Sequence, residues 1–427
     1  MIQHFSYGEG FMEVDIPGSF LGALRPGVKR TGAEEATLIA DTLENPVGTS
    51  RLRDIVAPGE TVAVVISDLT RLWVRQHLFI PRIVDELLAG GVDPADITLV
   101  AATGDHRGHT RDEWDMLVGE DLPASIGRLD HDARDDQSMV PLGETTRGTP
   151  VAVNCRVVES DRIVITGGIV YHFLSGFSGG MKALLPGVSG YATIMANHSL
   201  ALAEAGGVRR SVAAGRMAGN PCSEDIWEGG GMAHPDFLFN VVVDDETHRI
   251  VEAVAGDPHE AHRRGREVAR ANWEVPIAGR AEVVWASSGG YPKDINLYQT
   301  YKTLYGARRA VRPGGTVVIA SQCPEGMGND DFAAMILEYA DNATRERALR
   351  ERFTIGGYMA YHAALMAAEC DVLLISDMPA AEVRSAGIVP VPDLSSAADR
   401  VRAKHGGGSG YYVMPSGSAF PVVKGDD

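Results

Sequence analysis

Short apolar runs rich in β-branched residues recur along the chain, and they are continuously apolar rather than alternating. Seven of them are Thr61–Ser67, Ile97–Ala102, Arg162–Gly167, Phe239–Asp244, Ala281–Ser287, Gly315–Ser321 and Cys370–Ser376. Continuous runs of this length are typical of strands that are covered on both faces, as in a parallel sheet. The pattern therefore predicts buried parallel strands.

Segments with apolar positions at helical spacing lie between these runs. His77–Gly91 ends on a glycine stop, and Asp257–Trp273 and Asp294–Val311 have the pattern of surface helices. Strand and helix in alternation predict an α/β protein with helices on both sheet faces. The length of 427 residues favours two domains.

A domain boundary is predicted near Glu274–Gly279, where a helix ends, a proline interrupts and a new strand follows. We divide the chain into an N-terminal domain, 1–275, and a C-terminal domain, 276–427. The last residues, Gly410–Val423, could pair with either domain, including a return to the N-terminal one.

Composition excludes several classes of protein. The formal net charge of −18 argues against a nucleic-acid partner, which requires a basic face. No apolar run is long enough for a membrane-spanning helix, and the N-terminus has no signal-peptide pattern. The four cysteines form no C-x-x-C pair, which fits a reducing, cytoplasmic location.

Polar and charged residues follow four of the predicted strands. The segments are SDLTR (Ser67–Arg71), TGDHR (Thr103–Arg107), GGIVYHFLSGFSGGMK (Gly167–Lys182) and SGGYPKD (Ser288–Asp294). In open α/β sheets ligands bind beyond the carboxyl ends of the strands. These loops therefore predict a site at that edge.

The loop GFSGGMKALLPG, Gly176–Gly187, places Lys182 in a glycine-rich turn. It departs from the P-loop template, because Met181 stands where the second glycine belongs and Ala183 replaces Ser or Thr. Ser178, Gly179 and Gly180 can still offer polar groups to an anion such as a phosphate. From the residues alone, Lys182 could grip an anion, carry a covalent adduct or be a solvated lysine.

Three histidines, His106, His172 and His198, lie in or near these loops. Imidazole is both a common metal ligand and a group suited to proton transfer near neutral pH. Spacing does not say which histidine has which role, and no H-E-x-x-H pair defines a protein-only zinc site.

Two further sets of residues suit an anionic substrate. Tyr298 and Lys302 are four apart and share a helix face with Gln299 beside them, an arrangement that suits a carboxylate. The guanidinium of Arg71 matches a carboxylate or a phosphate. The alternative for the helix is an ordinary amphipathic surface.

Taken together, these segments resemble the nickel-dependent lactate racemase family, from about residue 15 to about residue 415. The segments that carry the resemblance are SDLTR, ATGDHRGHT, YHFLSGFSGGMKALLPGVSGYATIMANHS, FNVVVDD and SGGYPKDINLYQTYK. The resemblance implies two Rossmann-like α/β domains with the active site in the interdomain cleft. It also implies a cofactor, the nickel-pincer nucleotide, a pyridinium-3-thioamide-5-thiocarboxylic acid mononucleotide that binds Ni(II).

The resemblance also implies roles for residues. Lys182 would tether the cofactor and His198 would be the protein ligand to nickel, while His106 and His172 would be the catalytic acid/base pair. The remaining matches are Asp68, Thr70, Arg71, Ser178, Gly179 and Gly180 near the cofactor, and Arg71, Tyr298, Gln299 and Lys302 near the substrate.

The implied reaction is racemisation or epimerisation of a 2-hydroxy acid by hydride transfer to and from the cofactor. Two departures concern the substrate: Leu69 and Leu72 stand in the loop where the family has D-H-T-R-P, and Arg352–His362 contains no tryptophan. We therefore expect a larger or more polar acid at least as much as lactate. Arg75 and Trp73 could line such an altered pocket.

The expected partners are a small 2-hydroxy acid and the proteins that make and install the cofactor. Whether the chain forms a homo-oligomer stays open. Two rival functions also stay open: a nickel-independent phosphate- or nucleotide-binding transferase, and a non-catalytic protein that binds or carries the cofactor.

Overall fold

The structure is a computed structural model that describes residues 2–27, 34–244 and 246–425. The chain forms two compact units, one made of residues 29–271 and the other of residues 1–28 together with 272–427. The N-terminal segment therefore belongs to the same unit as the C-terminal half. We call the first the central unit and the second the terminal unit.

The first part of the chain, up to residue 273, contains both strands and helices. The strands are β1 (Ile2–Tyr7), β2 (Gly10–Asp15), β3 (Ser19–Ala23), β4 (Val62–Ser67), β5 (Ile97–Ala102), β6 (Gly127–Asp130), β7 (Met139–Glu144), β8 (Pro150–Asn154), β9 (Arg162–Gly168), β10 (Tyr171–His172), β11 (Gly176–Phe177), β12 (Phe237–Val243) and β13 (Ile250–Gly256). The α-helices are α1 (Glu35–Glu44), α2 (Leu52–Ile55), α3 (Ile80–Ala89), α4 (Arg111–Val118), α5 (Cys155–Val158), α6 (Tyr191–Ser199), α7 (Pro221–Gly231) and α8 (Pro258–Trp273). Short 3₁₀ helices cover Leu69–Val74, Gln76–Leu78, Pro94–Asp96, Asp136–Ser138 and Gly180–Ala183.

The elements after residue 273 complete the terminal unit. Its strands are β14 (Glu274–Ile277), β15 (Ala281–Ser287), β16 (Val311–Ala320), β17 (Asp371–Ile375), β18 (Val389–Pro390), β19 (Gly410–Met414) and β20 (Phe420–Val423). Its helices are α9 (Leu297–Ala310), α10 (Asp330–Leu337), α11 (Asn342–Glu351), α12 (Ile355–Glu369), α13 (Ala380–Ser385) and α14 (Leu394–His405).

The central unit is organised around a six-stranded sheet in the order β13-β12-β9-β4-β5-β6. All neighbouring pairs are parallel except β12 with β13, which is antiparallel. Strand β4 is buried at every position: Val62, Val64 and Ile66 join the core that includes α3, and Ala63 and Val65 are equally inaccessible. The continuous apolar pattern of this strand thus reflects burial on both faces.

The terminal unit has a six-stranded sheet, all parallel, in the order β18-β17-β16-β15-β19-β3. Strand β19 lies between β15 and the N-terminal β3, and β20 pairs with β14. The last strands of the chain therefore pair with strands of the terminal unit. Trp285 is fully buried in its core.

The predicted α/β class is confirmed, and each of the seven apolar runs overlaps a strand of one of the two six-stranded sheets. The loops that follow β4, β5 and β9 come from adjacent parallel strands, so their polar residues share one edge of the central sheet. In the part of the chain that is described, no helix has the length and apolar character needed to cross a membrane.

Candidate active site

Asp68 and His106 form a pair at the carboxyl ends of β4 and β5. Nδ1 of His106 lies 2.6 Å from Oδ2 of Asp68, whose side chain is only 2% exposed. Burial alone would raise the pKa of Asp68, but the His106 hydrogen bond and the Arg71 charge outweigh burial and lower it. The carboxylate is therefore ionised and accepts the Nδ1 proton of His106.

The same carboxylate organises two other predicted site residues. Oδ1 of Asp68 accepts hydrogen bonds from Oγ1 of Thr70 and Nη1 of Arg71, both at 2.8 Å. Arg71 remains 40% exposed, so its other N–H donors are available to a bound anion. The structure thus brings together Asp68, Thr70, Arg71 and His106.

A second histidine–aspartate pair, not anticipated from the sequence, supports this loop. Nε2 of His109 accepts a hydrogen bond from the backbone N–H of Leu69 at 3.0 Å. Nδ1 of His109 lies 2.6 Å from Oδ1 of Asp130, at the end of β6. His109 therefore holds the start of the 3₁₀ turn that carries Thr70 and Arg71.

The glycine-rich loop is anchored by its own polar groups. The backbone N–H of Ser178 donates to the Val170 carbonyl, and the Ser178 hydroxyl donates to the Gly168 carbonyl at 2.6 Å. The N–H of Gly180 donates to Oδ1 of Asn240 at 2.9 Å. These groups hold the loop in place, and anion contact by Ser178, Gly179 and Gly180 stays a prediction.

Glycine is required at Gly179 and Gly180 by both backbone angle and space. Their φ angles are +73° and +59°, in the left-handed region. A Cβ at Gly179 would lie 2.5 Å from Oδ1 of Asn240, and one at Gly180 would lie 2.8 Å from Trp227 and 3.0 Å from His262. The loop therefore packs so closely against Asn240, Trp227 and His262 that neither glycine has room for a side chain.

Asn240 and His262 are structural partners of the loop that the sequence analysis missed. Nε2 of His262 lies 2.9 Å from the Ser178 carbonyl, and burial lowers the pKa of His262 to about 3. The interpretation of Asp257–Trp273 as a surface helix did not foresee that His262 is buried. Asn240 could have been noticed as a polar residue inside the apolar run of β12.

Lys182 has no counterion in the part of the chain that the structure describes. No hydrogen bond or ion pair holds its Nζ there, although the side chain keeps some surface exposure. Enclosure by protein and the nearby Arg71 charge lower the pKa of Lys182 well below its usual value. The lowered pKa makes it easier to remove a proton from this amine than from an exposed lysine, and only the deprotonated amine is nucleophilic.

His198 lies in the last turn of α6 and is 5% exposed. Burial, followed by the charge of Lys182, lowers the pKa of His198 to about 3, although the nearby Ile194 carbonyl favours protonation. Nδ1 is buried and has no hydrogen-bond partner of normal geometry among the described residues. A neutral imidazole of this kind is suited to bind a metal.

A buried polar network fixes α6, and the sequence analysis missed it too. Nδ2 of Asn197 donates to Oδ2 of Asp225 at 2.8 Å and to the Cys222 carbonyl at 3.1 Å. Oδ1 of Asp225 accepts from the Thr145 hydroxyl at 2.5 Å. The only signal was the position of Asn197, directly before His198.

His172 lies in the short strand β10, next to the glycine-rich loop. Its Nδ1 accepts hydrogen bonds from the backbone N–H groups of Leu174, at 3.2 Å, and Ser175, at 3.3 Å. The ring stacks on Phe173 with a centroid distance of 4.9 Å. The orientation of the imidazole is thus defined by the turn that follows it.

Tyr298, Gln299 and Lys302 lie on α9 in the terminal unit. Lys302 is exposed and Tyr298 is half-buried, and their role near a substrate carboxylate stays a prediction. The hydroxyl of Tyr301, which is buried on the same helix, lies 2.8 Å from Nδ1 of His362 in α12. The stretch Arg352–His362, which lacks the tryptophan, therefore packs directly on this helix.

Residues of the central unit that differ from the family pattern, or that were predicted to line an altered substrate pocket, have structural roles. Nε of Arg75 pairs with Oε1 of Glu35 at 3.0 Å, and Trp73 packs against Gly168. Leu69 and Leu72 pack at the margin of the sheet core. Among the described residues there is no group of three or more His, Cys, Asp or Glu side chains placed to hold a metal ion.

Comparison with known proteins identifies the family. A family profile described as the lactate racemase N-terminal domain matches residues 7–208, and one described as the lactate racemase C-terminal domain matches residues 277–422. The lactate racemase of Thermoanaerobacterium thermosaccharolyticum is 33% identical over 342 residues, which cover 78% of each chain. The chain belongs to the lactate racemase family.

Other relatives agree with this assignment. The lactate racemase of Lactiplantibacillus plantarum is 28% identical over 393 residues, 90% of each chain. The structure of the lactate racemase apoprotein from T. thermosaccharolyticum superposes with a TM-score of 0.88 at 30% identity, covering 99% of this chain and all of that one. A Thermotoga maritima protein shares the fold, with a TM-score of 0.66, 16% identity, and coverage of 92% of this chain and all of that one.

Membership of the lactate racemase family makes this chain an enzyme of the isomerase class, a racemase. The predicted enzyme class is therefore confirmed. The family also agrees with the two-domain α/β layout expected from the sequence.

Proposed function

We propose that the chain racemises or epimerises a 2-hydroxy acid with a nickel-pincer nucleotide tethered to Lys182. The observation that carries the proposal is the pairing of two unusual groups, a lysine amine without a counterion and an unpartnered buried imidazole nitrogen on His198. The two groups are electrostatically coupled, since the Lys182 charge helps to lower the pKa of His198. Lactate racemase relatives support the 2-hydroxy acid as substrate class.

The residues present fit such a cofactor. A neutral amine can form the covalent tether, and a neutral imidazole can supply a nitrogen ligand beside soft sulfur ligands. The absence of a protein-only metal cluster from the described residues agrees with a metal held mainly by an organic group. When bound, the cofactor would supply the hydride chemistry at C2 of the substrate.

The protein's own groups would handle the proton and the charge of the substrate. His106 and His172 would serve the hydroxyl group at C2, and Asp68 holds Nδ1 of His106 so that Nε2 is presented. The free N–H donors of Arg71 suit the substrate carboxylate. We extend this role to Tyr298, Gln299 and Lys302 of α9.

We infer that the substrate range includes acids larger or more polar than lactate. The stretch Arg352–His362 lacks the tryptophan that the family tends to have. Within it, His362 packs against Tyr301 of α9, and Tyr358 packs against His362. Phenol and imidazole groups can hydrogen-bond a polar substrate side chain in a way that an indole ring does not.

The test is coexpression with the proteins that make the cofactor, followed by intact-mass and peptide analysis. We expect an adduct on Lys182, nickel in the purified protein, and interconversion of the enantiomers of at least one 2-hydroxy acid. Lys182→Arg, which keeps the charge, should carry neither adduct nor activity. An unmodified, nickel-free Lys182 protein under conditions that load a lactate racemase would overturn the proposal in favour of a nickel-independent transferase.

A loaded protein without turnover would instead support a non-catalytic carrier. In that case His106→Ala and His172→Ala should change nothing that can be measured. The proposal expects loss of racemisation in both variants with the Lys182 adduct and nickel retained.

A further inference from the structure

The 3₁₀ turn that follows β4 begins without the side-chain cap that its sequence would supply. Asp68 stands at its N-cap position, where an aspartate commonly turns its carboxylate onto the first N–H groups of the turn. Within the described part of the chain, this carboxylate makes no such bond. It accepts instead from three side chains, those of Thr70, Arg71 and His106. The first N–H of the turn, that of Leu69, therefore needs another acceptor.

His109, from the loop after β5, supplies that acceptor. Its Nε2 lies 3.0 Å from the backbone nitrogen of Leu69, and its side chain is only 2% exposed. A backbone N–H can only donate, so Nε2 carries the lone pair of a neutral ring and Nδ1 carries the proton. The imidazole of His109 thus takes the place of the missing cap.

Asp130, the last residue of β6, holds the His109 ring in this tautomer. Its Oδ1 lies 2.6 Å from Nδ1 of His109, and its Oδ2 accepts the backbone N–H of the same residue at 2.8 Å. The ring also meets Trp114 edge-on, with centroids 5.9 Å apart. Gly108 permits the close approach of the carboxylate, because a Cβ there would lie only 3.0 Å from Oδ2. These contacts fix both the position and the tautomer of the imidazole.

The loops after β4 and β5 are therefore joined by two hydrogen bonds that run in opposite directions. His106 donates to the carboxylate of Asp68 across 2.6 Å, and the N–H of Leu69, the next residue, donates back to His109. Without the second bond, the N–H of Leu69 would be an unpaired donor beside that carboxylate. The carboxylate could then turn onto the start of the turn, as N-cap aspartates do, and away from His106.

We propose that His109 is a positioning residue for the reaction, which caps the turn after β4 and so keeps the Asp68 carboxylate directed at His106. This inference rests on the proposed function, in which His106 exchanges a proton with the substrate. It is carried by the missing side-chain cap of Asp68 together with the buried Nε2 of His109 on the Leu69 nitrogen.

Nitrogen NMR of the apoprotein tests the geometry without any need for activity. In protein labelled with ¹⁵N-histidine, His106→Gln and His109→Gln assign the two rings by loss of their signals. We expect an unprotonated Nε2 and a protonated Nδ1 for His109, and a strongly deshielded Nδ1 proton on His106 from its short bond to Asp68. A proton on Nε2 of neutral His109 would overturn the inference.

Two substitutions at position 109 separate the acceptor from the shape of the ring. Phenylalanine keeps a ring against Trp114 but accepts no hydrogen bond, whereas glutamine has a carbonyl oxygen that can accept from the Leu69 N–H. We expect the deshielded proton of His106 to persist in His109→Gln and to be lost in His109→Phe. An unchanged His106 signal in folded His109→Phe would contradict the inference.

Val118→Ala is the control for a loss of stability alone. Val118 is fully buried in α4, so its truncation leaves a small cavity near the same loops without removing a polar contact. Melting temperatures show that each variant is folded under the conditions of the measurement. The His106 signal of Val118→Ala should match that of the parent protein.

Kinetics of the cofactor-loaded enzyme test the effect on the reaction. His109→Phe should lower kcat by about 10- to 100-fold, because a small misplacement of a reacting group is costly, and His109→Gln should stay within about threefold of the parent enzyme. Val118→Ala should keep the parent kcat well below its melting temperature. Equal losses in His109→Gln and His109→Phe would count against the capping role.

A double-mutant cycle shows whether His109 acts through Asp68. If it does, adding His109→Phe to Asp68→Asn should change kcat by less than about twofold, because the group that His109 positions is already altered. A full further loss in the double variant would give His109 a merely structural role and overturn the inference.

Nickel content and the Lys182 adduct are measured on each variant, and kcat is compared at equal loading. If the loaded parent enzyme interconverts no 2-hydroxy acid, the proposed function fails. The NMR of the apoprotein then decides by itself whether His109 keeps Asp68 directed at His106.

Discussion

At the residue scale, the two side chains proposed to hold the cofactor, Lys182 and His198, are ones that the described part of the fold leaves without polar partners. Lys182 has no counterion among the described residues, and Nδ1 of His198 is buried without a hydrogen-bond partner there. Uncompensated polar groups of this kind cost stability. Asp68 differs, because three hydrogen bonds satisfy its carboxylate.

Asp68→Asn should lower kcat of the loaded enzyme by about 10²- to 10⁴-fold, because an amide can donate to Nδ1 of His106 and so reverse its tautomer. Steady-state racemisation kinetics measure the effect. Asp236→Asn is the matched control, since Asp236 binds Arg162 and the N–H of Ile163 at the opposite end of β9. Equal kcat in Asp68→Asn and the parent enzyme would rule out this role.

Lys182→Met should raise the melting temperature of the apoprotein at neutral pH, because it removes a charge whose burial is unfavourable. An increase of about 2–4 °C is expected for each kcal/mol gained in a unit of this size. The pKa of Lys182 is lowered in the folded state, so the unfolded chain binds more protons between the folded and unfolded pKa values. The increase in melting temperature should be largest at pH values below the pKa of Lys182 in the folded protein. It should vanish above the pKa of lysine in the unfolded chain, which is about 10.4.

Calorimetry of the apoprotein at several pH values measures this effect. Lys424→Met, at an exposed position near the chain end, should leave the melting temperature unchanged. A lower melting temperature in Lys182→Met than in the parent would show that the lysine has a stabilising partner.

At the scale of elements, two helices and one loop position the proposed cofactor ligands. Helix α6 carries His198 and is tied to α7 through Asn197 and Asp225. The glycine-rich loop is held by β12 and α8 through Asn240 and His262. Supporting contacts of this kind control how firmly a metal ligand is held.

Asp225→Asn should weaken nickel retention by about 10- to 100-fold, because the carboxylate that anchors Asn197 is lost one residue from His198. Dialysis of loaded protein against a chelator, followed by metal analysis, measures the rate of nickel loss. Glu224→Gln, a neighbouring change on the same helix at a surface ion pair with Arg147, is the control. Identical nickel loss in both variants would exclude the anchoring role.

Gly180→Ala should destabilise the apoprotein more than Gly59→Ala. Both positions have positive φ angles, which cost about 1–2 kcal/mol for alanine. A Cβ at Gly180 meets Trp227 and His262, whereas one at Gly59 meets nothing within 4 Å, so overpacking should add about 1–3 kcal/mol. Equal denaturant midpoints for the two variants would be inconsistent with the close packing of the loop.

The sequence predicts the strands better than it predicts the contacts between them. Strands such as β4 are recognisable because burial on both faces leaves a continuous apolar run. The N-terminal hairpin of β1 and β2 carries no such signal, because its residues alternate between exposed and buried positions over short strands. The place of the N-terminal segment in the terminal unit depends on the pairing of β3 with β19, which lies nearly 400 positions away.

In the candidate site, too, the sequence predicts the strand-end loops better than the contacts made by distant helices. The strand-end rule gathers His106, Asp68 and Arg71 correctly at one edge, because adjacent parallel strands end together. Partners such as His262 and Asp225 lie on helices that approach from distant parts of the chain. Spacing along the sequence holds no information about such contacts.

At the scale of the whole molecule, an acidic protein is proposed to act on an anionic acid. The net charge of −18 repels such a substrate at long range, so local cations must provide the attraction. Arg71 in the central unit and Lys302 in the terminal unit are the cations at the positions proposed for substrate binding.

The most direct test of the central claim follows the hydrogen at C2. One enantiomer of a 2-hydroxy acid deuterated at C2 is incubated in ordinary water with enzyme that carries nickel and the Lys182 adduct, and both enantiomers are recovered by chiral chromatography and mass analysis. The account predicts interconversion with deuterium retained at C2 in the product enantiomer. Replacement of that deuterium by solvent hydrogen, or no interconversion by fully loaded enzyme with any 2-hydroxy acid, would contradict it.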